Sequence, residues 1–251
     1  MNSNNPFFKT KSFKDNNEAT HDAVIIDYNQ TMTVSGTINK SFLMLILLIA
    51  SAAITWMMTL NGQNPIALTL GGGIVGFVLV LISVFRPQYS TFLAPGYAIF
   101  EGLFIGGLSA IFEVMYPGIV IQAVSCTFVT FMVCFGLYKY GVVKVNDRFR
   151  SVVVAATLAI ATYYLISWLL SLFTSFEPIH YGNSMISIGI SAFVIVIAAL
   201  NLFLDFDQIE KGAAQRLPKY MEWYGAMGLM ITLVWLYIEF LRLLSKLSSR
   251  D

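Results

Sequence analysis

Charge is scarce in this chain. Only 12% of its 251 residues are Asp, Glu, Lys or Arg, about half the share that covers a soluble domain. Apolar residues make up 57% and mean hydropathy is +0.72, so the chain cannot coat itself for water. Neither sign of charge dominates: 15 Lys and Arg face 14 Asp and Glu, a net +1. That balance offers no field to hold nucleic acid. Cysteine is nearly absent, and Cys126 and Cys134 lie roughly 12 Å apart along one apolar run, too far to bridge. The two histidines, His21 and His180, give no zinc spacing with them. They also leave Ser109, in Gly107-Leu108-Ser109-Ala110, without an intramembrane base. Walker-type phosphate loops are missing too. Nucleotide-driven pumps and conventional hydrolases are therefore not expected, nor is any resident cofactor.

What is present is a set of long apolar runs. Six have the length a crossing helix needs, about 20 residues: Ser41–Leu60, Asn64–Phe85, Thr91–Met115, Gly118–Tyr138, Ser151–Phe173 and Ser184–Leu204. A seventh, Gly225–Leu244, is apolar apart from Glu239 and Arg242. Period-two alternation is absent, which argues against a transmembrane barrel. The expected fold is an all-α integral membrane protein in contact with lipid, with about seven transmembrane helices in residues 41–247. Residues 1–40 are polar and mixed in charge, and are expected to form a mostly disordered tail with no signal peptide before it.

Basic residues set the expected orientation. Twelve of the 15 fall in the tail and in the connections after helices two, four and six; the three intervening connections have none. The N-terminus is thus expected in the cytoplasm. Arg242, Lys246 and Arg250 break the pattern if segment seven crosses and keep it if the segment re-enters. Both topologies stay open at this point.

Gly71, Gly73 and Gly76 satisfy the dinucleotide fingerprint G-x-G-x-x-G, but that motif needs a preceding strand. Inside an apolar run, glycines mark close helix packing, as do Gly102 and Gly106 in helix three.

Ionisable groups inside a span cost about 2.5–3.5 kcal/mol on insertion scales and are functional suspects. Glu101, Asp205, Asp207 and Glu239 qualify. Helix six is expected to run on to about Ala213, past Asp205 and Asp207. These two are 200° apart around a helix, so only one can face the interior. Glu239 would lie roughly 20 Å along its helix, where Arg242 can neutralise it as an i,i+3 pair. Two carboxylates together in a low-dielectric site titrate as a pair, and a hard dication can replace their shared proton.

The stretches Asp205-x-x-Gln208-Ile209 and Leu236-Tyr237-x-Glu239-Phe240 resemble the Bax inhibitor-1 family, including its bacterial YccA-like branch. Pro218–Tyr224, Arg86, Gly96 and Tyr97 fit as well, and the resemblance covers roughly Asn39 to Leu247. It implies a central seventh helix surrounded by the other six. It also implies a proton-sensitive calcium site, which on this chain is Asp205 and Glu239, and a latching arginine, Arg86. Protonating Asp205 would release that latch and open the pore as pH falls. Two departures stand out: the second acid is Glu rather than Asp, and the connection between helices six and seven is longer than in compact members. The expected function is a pH-sensitive calcium leak in a bacterial cytoplasmic (inner) membrane, not an enzyme. The alternative from the resemblance is a regulator of a membrane-bound protease, acting through its cytoplasmic tail.

Overall fold

The apolar runs become seven helices in a computed structural model of the chain, which describes residues 31–174 and 178–249. They are α1 (Val34–Leu60), α2 (Ile66–Phe85), α3 (Ser90–Met115), α4 (Ile119–Lys139), α5 (Asp147–Phe173), α6 (Met185–Ala214) and α7 (Met221–Ser248). A single 3-10 turn, Pro87–Tyr89, joins α2 to α3. Each of the seven helices is long and apolar enough to cross a bilayer, and large apolar side chains such as Phe85, Phe92 and Phe173 point outward. The protein is an all-α, seven-span integral membrane protein.

Polar side chains mark where the helices start. Thr33, Asn146 and Ser184 cap α1, α5 and α6 by accepting from the amides of Gly36, Phe149 and Ser187. They satisfy donors that a first turn leaves free. The start of α4 has no such residue of its own. Gly118 sits there at φ +86°, and Glu113 reaches across from α3 to accept from Gly118 (2.6 Å) and Val120 (3.1 Å).

The first helix starts earlier than expected. Residues 34–40, assigned to the tail because they are polar, are helical once Thr33 caps them. The expectation of disorder for residues 1–30 lies outside the described residues.

Glycines bring α1, α2 and α3 together. A side chain on Gly102 or Gly106 would run into Leu48, Ser51, Ala52 and Thr55 of α1, and one on Gly107 into Thr69 of α2. From the other side, Gly72, Gly73 and Gly76 of α2 lie against Phe100, Phe104 and Glu101. The dinucleotide-like motif is thus helix packing, although Gly71 meets nothing.

Helix α7 is the most buried span and packs directly on α1, α3, α4 and α6. From α5, Tyr164 reaches it, and α2 faces it across a cavity lined by Val80, Ser83 and Ile231. It runs antiparallel to α6 over its full length: Gly225 meets Ile209, Gly228 meets Asp205, and Lys246 meets Ser191 and Ser187. Re-entry is therefore excluded, and the last described residue lies at the end opposite Thr31. Thr31 pairs with Pro218 in an isolated antiparallel bridge. The end that carries this bridge is called the basic end below.

Candidate cation site

Asp205 lies on the face of α6 that looks at α7. Its neighbours there are Gly228 and the hydroxyl of Thr232, which itself reaches the Gly228 carbonyl at 3.3 Å. The missing side chain at Gly228 leaves room, and a cavity of about 130 Å³ opens beside the carboxylate. Val80, Ser83 and Val84 of α2 line it with Gln208, Tyr224 and Met227. One carboxylate oxygen of Asp205 is buried without a hydrogen-bond partner. Burying such an oxygen is costly unless something binds it.

Asp207 points elsewhere, as the helical angle requires. It accepts from Arg150 of α5 at 2.5 Å and from Lys211 one turn on at 2.8 Å. Its charge joins α5 to α6 and is already matched.

Glu239 is held by its own helix and by α5. Arg242 donates to it at 2.9 Å and Tyr164 at 3.3 Å. Arg242 also donates to the Tyr164 hydroxyl at 3.0 Å. The expected i,i+3 ion pair is formed, and the second carboxylate oxygen is buried without a hydrogen-bond partner.

The expected acid pair does not come together. Asp205 lies nine residues before the end of α6, so it faces α7 about nine residues after its start, around Met230. Glu239 is another nine residues along, which is about 13 Å of helix. At the level of Asp205, α7 offers Gly228 and Thr232, neither of which ionises. The candidate site has one carboxylate.

The latch is not formed either. Arg86 is exposed at the C-cap of α2, where the chain turns into Pro87, and makes no ion pair with Asp205. Ser83 and Val84, one turn earlier, are the α2 residues that reach the Asp205 cavity. Glu101 is half-buried in the α2–α3 seam beside Gly76, away from the other acids. Among the described residues no group of three or more His, Cys, Asp or Glu could hold a metal ion. A dication at Asp205 would need its remaining ligands from hydroxyls, amides, carbonyls and water.

The sequence profile of the Bax inhibitor 1 like family matches residues 5–249. The chain belongs to the Bax inhibitor 1-like family. A comparison with curated proteins found no match.

Within this family member, the sequence reading missed several buried polar groups. Glu222 is fully buried at the start of α7 and accepts from Thr33, Lys40 and Lys219. Its i,i+3 spacing from Lys219 was a usable signal; its contacts with α1 had none. Lys246, buried near the other end, donates to the His180 and Ser187 carbonyls and to Ser191. His180 stacks among Tyr163, Tyr164 and Tyr181. Burial, with Arg242 and Lys246 nearby, lowers the pKa of His180 below its ordinary value.

Proposed function

We propose that this protein is a pH-sensitive cation leak with calcium as its cargo, and that Asp205 is its single proton- and cation-binding carboxylate. The observation that carries this reading is the buried, unpartnered oxygen of Asp205 on a cavity between α2, α6 and α7. A carboxylate so placed is satisfied by a proton or by a cation. Calcium prefers six to eight oxygen ligands, and one carboxylate with Ser83, Gln208 and water would bind it weakly. Weak binding suits a leak, because the ion must also leave. The basic end faces the cytoplasm of a bacterial inner membrane, following the positive-inside rule.

The sign of the pH response follows from competition. A proton on Asp205 removes the charge that attracts the cation, and there is no Arg86 pair for it to release. Flux therefore falls as pH falls. In liposomes assayed from pH 5 to 8, Asp205→Asn gives low flux with no pH dependence. Glu239→Gln and Arg86→Ala keep the wild-type profile. A wild-type profile in Asp205→Asn would refute the assignment. Flux that rises in acid, copied at neutral pH by Arg86→Ala, would restore the latch.

A regulatory role at a membrane-bound protease draws on a different observation. Residues 31–33 are fixed to the α6–α7 connection, so the chain before them leaves from the basic end. Deleting Met1–Gln30 separates the two readings: a leak keeps its flux, and a docking protein loses its effect on the protease.

A further inference from the structure

We infer that Met32 is a tethered plug that closes the Asp205 cavity from the basic end, an inference that rests on the cation-leak reading. A second, larger cavity of about 340 Å³ lies at that end, lined in part by Arg150, Lys211, Leu217 and Met221. The two cavities share four lining residues: Gln208, Ile209, Tyr224 and Gly225. They are adjoining parts of one route from the basic end to Asp205, and the shared residues form the partition.

Met32 lines the larger cavity and meets this partition from the basic side, at Gly225. Its side chain enters between two glycines, one on each helix. A Cβ placed on Gly212 of α6 would lie 2.8 Å from the Met32 sulfur, and one on Gly225 of α7 would lie 3.5 Å from its terminal methyl. Glycine at 212 makes the slot, while at 225 the tightest neighbour is Ile209 at 3.2 Å and Met32 rests in ordinary contact. Met32 is 4% exposed, although it precedes the first helix. An unbranched thioether fills an irregular gap well and leaves it without breaking a hydrogen bond.

The backbone on either side of Met32 is fastened. Thr31 bridges Pro218, and the Met32 amide donates to the Leu217 carbonyl at 2.7 Å. Thr33 gives both its amide (2.9 Å) and its hydroxyl (2.8 Å) to Glu222. These fastenings hold the segment to the α6–α7 connection and leave the side chain as the element that fills the slot. Removing the side chain should join the two cavities while the strap stays in place.

Accessibility tests this independently of flux. Ser83→Cys puts a thiol of similar size in the Asp205 cavity, in a background with Cys126→Ala and Cys134→Ala. A membrane-impermeant cationic methanethiosulfonate is applied from the basic side of reconstituted protein. Met32→Ala should raise the labelling rate at position 83 at least 10-fold, and Met32→Leu should leave it slow. Equal rates in all three proteins would overturn the plug. Fast labelling in Met32→Leu would also overturn it, because leucine fills the slot. Calcium flux is measured separately on wild type, Met32→Ala and Met32→Leu that keep Ser83 and are not labelled. If Met32→Ala labels faster but carries no more calcium, the plug stands and the cation-leak reading fails.

Discussion

Replacing Glu222 with glutamine tests what ties the start of α1 to the start of α7. The carboxylate is fully buried yet matched on both oxygens. One accepts from the Thr33 amide, the Thr33 hydroxyl and Lys219 at 2.8–2.9 Å, and the other meets Lys40. The two cations are not equivalent. The Lys40 side chain is 17% exposed and lies 5.3 Å from the Trp223 ring, whereas the Lys219 side chain is 46% exposed. Lys219 is screened by water and contributes under about 1 kcal/mol. Breaking the buried partnership with Lys40 costs about 3–5 kcal/mol, because it leaves an uncompensated charge. Glutamine still accepts from Thr33, so the lower end applies, about 3 kcal/mol. For a chain of this size each kcal/mol moves the melting midpoint by about 2–4 °C, giving a drop of roughly 6–12 °C. Tryptophan fluorescence of purified protein in detergent reads the transition, with Trp223 next to the site. Lys40→Ala should behave like Glu222→Gln, and Lys219→Ala should stay within about 4 °C of wild type. A drop below about 2 °C in Glu222→Gln, or the reverse order of the two lysines, would refute the reasoning.

Gly106→Ala should lower the melting midpoint by the equivalent of about 1–3 kcal/mol, since its Cβ meets the α1 backbone at Ala52 and that backbone cannot step aside cheaply. Gly71→Ala, with nothing within 4 Å, should leave the midpoint unchanged or raise it; equal losses at both positions would contradict the packing account. His180 gives a pH dependence of stability. Its folded pKa is lowered by burial and by Arg242 and Lys246, so between that value and the ordinary one near 6.5 the unfolded chain binds more protons. Its contribution is complete above about pH 6.5 and is lost as pH falls toward the folded value. His180→Gln should flatten the acid side of the melting profile between pH 5 and 7, and an unchanged slope would assign that slope to another group.

Much of the architecture was legible in the sequence because burial in lipid demands long apolar helices, and such runs are unambiguous. Helix six was expected to continue to about Ala213 and ends at Ala214, since the apolar residues around Asp205 and Asp207 keep a helical face. The 200° between those acids also held: Asp205 faces the α7 cavity and Asp207 faces Arg150. Positive-inside counting left the topology of α7 open because it treats every basic residue as a solvated charge. Arg242 is paired with Glu239, and Lys246 donates to the His180 carbonyl before α6 and the Ser187 carbonyl in its first turn. Neither is free to set topology. The plug at Met32 had no sequence signal, because one methionine beside two distant glycines becomes a slot only after α6 and α7 are packed.

The separation of Asp205 from Glu239 follows from arithmetic about the turn between their helices. In an antiparallel hairpin, residues equidistant from the turn face each other, and α6 ends at Ala214 where α7 starts at Met221. Asp205 must then oppose residue 230 and Glu239 must oppose residue 196. Shared identity of two acids along a family pattern does not change that register. A carboxylate dyad stores a proton by mutual repulsion, so its titration depends on the second acid. A lone carboxylate beside a cavity depends on burial and on its neighbours instead. Substituting Gly228 or Thr232 should therefore alter the proton response of Asp205 more than substituting Glu239. If Glu239→Gln moved the midpoint of the flux profile further than Thr232→Val, the two acids would be coupled over about 13 Å, and the single-site account would have to give way.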